Sequence, residues 1–166
     1  PLVRRPTGGG IVFHENDLTF SFVFHLPGAY FEPVMTYDRL HRAIAGAYAS
    51  AGLSFELLNE HTENYRIDNP VMNCFAKSVN LDILYNGKKV LGGALRKFGD
   101  YMLYQASFQS PDARSKAGFH RNVIIKALGT EFSLSWSSSG FSERETEKVK
   151  ALALSKYAAK EWNERI

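Results

Sequence analysis

One cysteine and one lysine in this sequence have types and spacing that could do covalent chemistry. Cys74 is the only cysteine among the 166 residues, and Lys89 follows it by fifteen positions. The thiolate is the reactive form of cysteine, and a nearby ammonium group lowers the pKa of the thiol. Cys74 is therefore a candidate nucleophile if Lys89 lies close to it. A lone cysteine is more often a small buried apolar group, so both interpretations stay open.

A run of three glycines near the start of the chain is a candidate binding segment. Gly8, Gly9 and Gly10 follow the pair Arg4 and Arg5. Glycine lets the backbone approach a ligand closely, and bare N–H groups can hold an anion or a carbonyl oxygen. Arg5 could add a charge-assisted contact to a phosphate. The spacing matches neither the dinucleotide-binding glycine motif nor the P-loop, and a simple hairpin turn would also explain the run.

A second glycine pair follows the lysines in a predicted strand. Lys88 and Lys89 should point to opposite faces of that strand, which places Lys89 on one face with Leu91 and Gly93. Gly93 would leave room there for a bound chain. Gly92 and Gly93 inside a strand cost stability, which indicates a bend or a ligand lying against the backbone. A polar turn followed by a weak edge strand is the plainer alternative.

Strands and helices together must position these residues. Alternating apolar residues, with the favoured turn pair Asn86-Gly87, predict strands at Leu18–Phe24, Phe55–Leu58, Leu81–Tyr85, Lys88–Leu95 and Tyr101–Phe108. Capping and periodicity predict helices at Tyr37–Ala51 after Thr36, around Val123–Leu128, and after Ser142, where Glu145 completes a capping box. Strands with helices between and after them predict one mixed α+β domain over residues 1–166.

Composition narrows the functional class without choosing it. The net charge is +3 and the pI is about 9.0, but the basic residues are spread along the chain, so no nucleic-acid patch is indicated. No apolar run reaches 18 residues, which argues against a membrane span. One cysteine suits a reducing compartment, and we expect a cytoplasmic protein. No metal ligands are predicted.

Three segments resemble one known family. The first is similar to the fingerprint of lipoate–protein ligases and octanoyltransferases, and it runs Arg4-Arg5-Pro6-Thr7-Gly8-Gly9-Gly10-Ile11-Val12-Phe13-His14, then Asp17-Leu18-Thr19-Phe20-Ser21. The second is similar to the lysine motif of that family, and it runs from Asp82 through Gly87-Lys88-Lys89-Val90 to Gly92-Gly93-Ala94. The ending Lys156-Tyr157 with Glu161-Trp162-Asn163 resembles a C-terminal helix of the family. The resemblance implies a biotin/lipoate ligase-like domain, with a largely antiparallel sheet and flanking helices.

Cys74 and Phe75 resemble the nucleophile segment of the cysteine-type octanoyltransferases. The resemblance implies transfer of an octanoyl or lipoyl group through a Cys74 thioester, with Lys89 keeping the thiol ionised and no cofactor. It assigns substrate binding to Arg5, Gly8, Gly9, Gly10, Ile11, Val12, Phe13, His14, Gly92, Gly93 and Ala94.

Two alternatives remain within the resemblance. An ATP-dependent lipoate ligase would use ATP and Mg, with Arg5 and Gly10–Phe13 on the phosphates and Lys89 on the carboxylate and adenylate. A non-catalytic module that binds lipoyl carriers would need neither. One departure from the family is Gln105-Ala106, which stands where the family has His-Gly.

The resemblance also implies partners. The donor would be an acyl carrier protein or a lipoyl-bearing protein. The acceptor would be the lipoyl domain of a 2-oxoacid dehydrogenase or the glycine cleavage H protein. Family members carry several dozen residues before the double arginine, so we expect a second chain or a cleaved remnant to supply that segment.

Overall fold

The computed structural model describes residues 2–27, 32–59 and 80–164. The chain divides into a larger unit, Thr7–Leu134, and a smaller unit made of Pro1–Pro6 and Ser135–Ile166. Each unit is described by itself, and the single domain expected over residues 1–166 stays a prediction.

The larger unit is built on a five-stranded antiparallel sheet. Its strands are β1 (Leu18–His25), β2 (Glu56–Leu57), β3 (Ile83–Tyr85), β4 (Lys88–Phe98) and β5 (Tyr101–Phe108). They lie in the order β1-β5-β4-β3-β2, and every neighbouring pair is antiparallel. Among the described residues, the helices of this unit are α1 (Pro33–Ser50) and α2 (Ala117–Glu131). The predicted α+β class with a largely antiparallel sheet and flanking helices is confirmed.

Helix α1 begins earlier than the sequence predicts. Thr36 was the expected cap, but the helix starts at Pro33 and the capping position is Glu32. Proline suits the first helical position, because the N–H that it lacks has no partner there anyway. The longer helix adds a turn that places Tyr37 well inside α1, and this residue becomes important at the candidate site.

Strand β1 and the β3–β4 turn follow their sequence patterns closely. Phe22 is buried while its neighbours Ser21 and Val23 are exposed, so the strand has the single buried face that was predicted. Asn86 and Gly87 both have positive φ angles, 50° and 72°, as a type I′ turn requires. The predicted hairpin is therefore confirmed.

Strand β4 contains an irregularity that changes the face on which its lysine lies. Ile83 pairs with Leu91, whereas the next residue, Leu84, pairs with Lys89. Between these two pairs the chain advances by one residue on β3 and by two residues on β4. Strand β4 therefore has one extra residue, which is the definition of a β-bulge. The expectation that Lys89 shares a face with Gly93 is wrong, because the bulge breaks the strict alternation. The lysine side chain lies beside Gly92 instead.

The smaller unit contains the last helical segments. Helix α3 (Glu143–Leu152) begins with the predicted capping box between Ser142 and Glu145. A π-helical segment (Ala153–Tyr157) and the short α4 (Lys160–Asn163) follow. The helix predicted after Ser142 is confirmed at its start, and its continuation over Ala153–Tyr157 is π-helical. Across the described ranges, no helix is both long enough and apolar enough to cross a membrane.

Candidate active site

The predicted lysine forms a buried ion pair at the β3–β4 hairpin. Lys89 Nζ lies 2.8 Å from Asp82 Oδ2, and the side chains of Lys89 and Asp82 are 7% and 0% exposed. Asp82 immediately precedes β3, and Lys89 is the second residue of β4, so the hairpin brings them together. A buried charge is tolerated only when it is paired and hydrogen-bonded, so each group requires the other.

A tyrosine from α1 completes the surroundings of that carboxylate. Tyr37 Oη donates to Asp82 Oδ1 at 2.7 Å, and the Gly93 N–H donates to Tyr37 Oη at 3.1 Å. Burial, together with the nearby Tyr104 and Asp82, raises the pKa of Tyr37 well above its ordinary value. The phenol therefore keeps its proton and serves as a donor to Asp82. This bridge connects α1 to both strands of the hairpin.

A neutral histidine lies behind the tyrosine. His41 stacks on Tyr37 with 3.9 Å between ring centroids, and its Nε2 lies 2.7 Å from Tyr104 Oη. Burial lowers the pKa of His41 to about 3, and burial raises that of Tyr104 well above its usual range. Tyr104 therefore donates to His41, whose proton is on Nδ1. Among the described residues, Nδ1 has no hydrogen-bond partner of acceptable geometry. The Leu81 backbone acts to raise the pKa of His41, but burial outweighs this effect.

These side chains form one group, which we call the lysine cluster. Its members are Tyr37, His41, Asp82, Lys89 and Tyr104. The cluster contains one ammonium and one carboxylate held at defined positions, with neutral polar groups behind them. A cation fixed in this way can stabilise a thiolate or the developing negative charge of an acyl-transfer reaction.

Close packing explains why β4 carries two glycines. A Cβ atom at Gly92 would overlap Lys89 Cε and lie 2.7 Å from Lys89 Nζ. A Cβ atom at Gly93 would overlap the Tyr104 ring. The predicted close approach to this backbone therefore exists, but the approaching groups are side chains of the cluster. Ala94 continues the strand and pairs with Gln105 of β5.

The glycine run is anchored at both ends to β5. Before the run, Thr7 Oγ1 donates to Gln105 Oε1 at 3.0 Å. After it, Asp17 Oδ2 accepts from Ser107 Oγ at 2.7 Å. The two anchors are two residues apart on β5 and therefore lie on the same face. Between them Gly9 has a φ of 100°, which glycine adopts without strain. The run is thus a loop of defined position whose backbone can line a binding site.

His14 takes part in this anchor. His14 Nδ1 lies 2.7 Å from Asp17 Oδ2, the oxygen that also accepts from Ser107. Burial acts to raise the pKa of Asp17, but the bonds from Ser107 and His14 outweigh it and the net direction is down. Because both partners bond to the same oxygen of Asp17, these three residues do not form a Ser-His-Asp triad. Gln109 secures the segment further by donating to Phe13 O at 3.1 Å.

The remaining site predictions lie elsewhere. Cys74 and Phe75 are outside the described residues, so the approach of Cys74 to Lys89 stays a prediction. Arg5 belongs to the smaller unit, where its neighbour Arg4 is held by α4. The Arg4 N–H donates to Asn163 Oδ1 at 2.7 Å, and Trp162 Nε1 donates to Arg4 O at 2.8 Å.

Tyr37, His41 and Asp82 were not among the predicted site residues. A carboxylate in the apolar stretch Leu81–Leu84 was a usable signal, because a charge in such a run needs a partner. The i, i+4 spacing of Tyr37 and His41 places them on one face of α1. Nothing in the sequence indicated that this face meets Asp82. Within the described ranges, no three His, Cys, Asp or Glu side chains are grouped to hold a metal ion.

Curated relatives agree with the family that the motifs predicted. Octanoyltransferase LipM of Symbiobacterium thermophilum is 26% identical over 206 residues, which span 98% of this chain and 73% of the relative. Octanoyltransferase LipM of Carboxydothermus hydrogenoformans is 27% identical over 199 residues, which span 97% of this chain and 72% of the relative. The octanoyltransferase LipM of Oceanobacillus iheyensis is 31% identical over a shorter stretch of 108 residues, 59% of this chain and 36% of the relative.

Solved structures share the fold. Lipoate-protein ligase A bound with ATP superposes with a TM-score of 0.71 at 22% identity, covering 98% of this chain and 71% of that one. A bi-partite lipoate protein ligase of Thermoplasma acidophilum superposes with a TM-score of 0.69 at 19% identity, covering 98% of this chain and 69% of that one. Residues 1–110 match the family model described as the lipoyl protein ligase A/B catalytic domain. With its motifs, its fold and this match in agreement, the chain belongs to the lipoyl protein ligase A/B catalytic-domain family.

Proposed function

We propose that this chain is an octanoyltransferase, which moves an octanoyl or lipoyl group onto a lysine of a lipoyl domain. The observation that carries the proposal is the buried Lys89–Asp82 pair, because it fixes an ammonium group at the position where the family motif requires one. The curated relatives that match nearly the whole chain are named octanoyltransferases, which favours a transferase over a nucleotide-using ligase.

Transfer would take place in two steps through Cys74. In the first, the Cys74 thiolate attacks the donor thioester, a new Sγ–C bond forms, and the donor leaves as a thiol that takes up a proton. In the second, the neutral amine of the acceptor lysine attacks this thioester. An amide bond forms, the amine proton passes to solvent or a base, and Cys74 is released as a thiolate. Covalent catalysis of this kind divides one difficult transfer into two easier ones.

Lys89 would favour the ionised thiol. A cation close to a cysteine lowers its pKa below the ordinary value of about 8.5. An ammonium group can donate three hydrogen bonds, so its bond to Asp82 is compatible with a second anionic partner. In this scheme the glycine run supplies backbone groups to the acyl chain, and the substrate-binding role of Arg5 stays a prediction of the resemblance.

The partners follow from the same reaction. We propose an acyl carrier protein or another acyl-bearing protein as donor, and the lipoyl domain of a 2-oxoacid dehydrogenase or of glycine cleavage as acceptor. The transferase needs no nucleotide and no metal ion, whereas a ligase would need ATP and Mg.

The test is the intact mass of the protein after incubation with octanoyl carrier protein. We expect one octanoyl adduct on the parent chain and none on Cys74→Ser. Lys89→Ala should slow adduct formation, whereas Lys88→Ala is the matched control, because Lys88 is the exposed neighbour and should change little. ATP-dependent transfer from free lipoate that survives Cys74→Ala would show a ligase instead. No activity in either assay would indicate a non-catalytic module that binds lipoyl carriers.

A further inference from the structure

We infer that Asp82 and Tyr37 are positioning residues that hold the Lys89 ammonium group in its working place and charge state. The inference deepens the proposed function and rests on it for its kinetic part. The catalytic role stays with Lys89, and Asp82 acts through it.

The burial of the Lys89–Asp82 pair indicates that its role is to hold the ammonium group in place. Lys89 is 7% exposed and lies 2.8 Å from a carboxylate that is fully buried. A lysine needs no carboxylate to stay charged in water, and a buried ion pair is commonly no more stable than apolar residues of the same size. The cost of removing both charges from water therefore offsets most of their attraction, and the pair contributes little net stability. What it does provide is a fixed ammonium group.

Tyr37 determines where the carboxylate stands. Its hydroxyl donates to one oxygen of Asp82, while the other oxygen faces Lys89. The same hydroxyl accepts from the Gly93 N–H, so the link returns to the strand that carries the lysine. Lys89, Asp82, Tyr37 and the β4 backbone thus form a closed loop of contacts. In such a loop the ammonium cannot shift without breaking a buried hydrogen bond.

The space beside the backbone is also consistent with a fixed lysine. The stem of Lys89 passes so close to Gly92 that even a methyl group there would overlap it. Among the described residues, the titratable groups that the cluster places around this lysine are Tyr37 and His41 from α1, Asp82 just before β3, and Tyr104 from β5. Asp82 is the anion in this set, since burial keeps both tyrosines protonated and His41 neutral.

The kinetic test compares Asp82→Asn and Tyr37→Phe with the control Lys116→Ala, which breaks an exposed lysine–aspartate pair. Asp82→Asn should lower kcat/KM for acyl transfer about 10- to 100-fold, because it removes a hydrogen bond to a charged group. The alkaline limb of the pH–rate profile should move to lower pH, since a buried ammonium without its carboxylate loses its proton more readily. Tyr37→Phe should lower kcat/KM about 2- to 10-fold with the same direction of shift. An unmoved alkaline limb in both variants would overturn the inference.

A second readout needs no enzymatic activity. Acetylation by acetic anhydride at mildly alkaline pH, mapped by peptide mass, reports which lysine amines are neutral and accessible. The ratio of Lys89 to Lys88 modification should rise in Asp82→Asn and stay at the parent value in Lys116→Ala. An unchanged ratio in Asp82→Asn would overturn the inference whether or not the chain transfers acyl groups. If the parent transfers nothing while this ratio rises, the proposed function fails and the positioning role stands. If Asp82→Asn does not fold, the alkaline limb and the acetylation ratio of Tyr37→Phe test the inference instead.

Discussion

Two regions of the larger unit surround a lysine–aspartate pair with the same kinds of residue. The lysine cluster contains the pair Lys89–Asp82, with N–O distance 2.8 Å and side chains 7% and 0% exposed. A second group, which we call the helix cluster, consists of Tyr48, Ser110, Asp112, Lys116 and His120. Its pair, Lys116–Asp112, is 3.0 Å apart, with side chains 64% and 32% exposed. The distances are nearly equal, so burial is what separates the two pairs.

The histidines of the two clusters differ in the same way. His120 Nε2 lies 3.1 Å from Asp112 Oδ1, and its Nδ1 lies 3.0 Å from Tyr48 Oη, so both ring nitrogens have partners. In the lysine cluster, His41 bonds through Nε2, and among the described residues its Nδ1 has no hydrogen-bond partner of acceptable geometry. The helix cluster thus has the satisfied bonding of a structural joint between α1 and α2. Within the part of the chain that the structure describes, the lysine cluster combines a buried charge with a ring nitrogen that lacks a partner, as functional sites often do.

A difference in burial predicts a large difference in the cost of breaking the two pairs. Asp82→Ala would leave a buried ammonium without its partner, and we expect a loss of about 3–5 kcal/mol in the free energy of unfolding. Lys116→Ala breaks an exposed pair and should cost at most about 1 kcal/mol. Urea unfolding of the two variants and the parent measures both values. Equal costs would show that burial does not distinguish the pairs.

The buried His41 predicts a dependence of stability on pH. Burial lowers the pKa of His41 to about 3 in the folded protein, against an ordinary value of 6.5, so the unfolded chain binds more protons between these values. Stability should therefore fall as the pH falls from about 6.5 towards 3, by up to about 1.4 kcal/mol per pH unit. The replacement His41→Gln keeps an acceptor for Tyr104 and should remove this slope. Urea unfolding at several pH values measures the effect, and an equal slope in parent and variant would contradict it.

Aspartate 112 should act in a different pH range. The hydrogen bond from Ser110, opposed by burial and reinforced by Lys116 and His120, lowers the pKa of Asp112 to about 2. A carboxyl group with a lowered pKa contributes stability that is lost only as the pH falls from its ordinary value of 3.8 towards 2. Asp112 should therefore add little to the loss that His41 produces between about pH 6.5 and 4.

Packing in the lysine cluster predicts a stability cost at one of its two glycines. A methyl group at Gly93 would overlap the ring of Tyr104, which is fully buried and hydrogen-bonded to His41. Because that ring cannot move away, Gly93→Ala should cost about 1–3 kcal/mol in the free energy of unfolding. Gly46→Ala in α1 is the control, since no atom of the described residues lies within 4 Å of a Cβ there. An unaltered urea midpoint for Gly93→Ala would show that the ring is free to shift.

The other glycine should affect activity through the lysine. A methyl group at Gly92 would overlap the far end of the Lys89 side chain, so the ammonium group would have to leave its place beside Asp82. The displaced ammonium should lower acyl transfer at least about tenfold, as the loss of one charged hydrogen bond would. Full transfer activity in a well-folded Gly92→Ala would contradict the role of the fixed lysine.

Local sequence signals predicted the elements of the fold well. The Asn86-Gly87 turn, the alternation in Leu18–Phe24 and the capping box at Ser142 each depend on neighbouring residues, and all three are confirmed. The start of α1 was placed too late because Thr36 also satisfies the rule for a cap. The face of Lys89 was wrong because a bulge depends on the partner strand, which no local pattern records.

By itself, the sequence determined the family, the antiparallel hairpin and the identity of the lysine at the candidate site. Each of these depends on residue types at short spacing, which propensity and motif express directly. Only the tertiary structure decided that the Lys89 ammonium is buried and which groups hold it. Asp82 is brought to it by the register of β3 and β4, and Tyr37 by the packing of α1 against the sheet. The Tyr37–Asp82 contact joins residues 45 positions apart, and its physical cause is the burial of the hydrophobic core that α1, α2 and the sheet of the larger unit share.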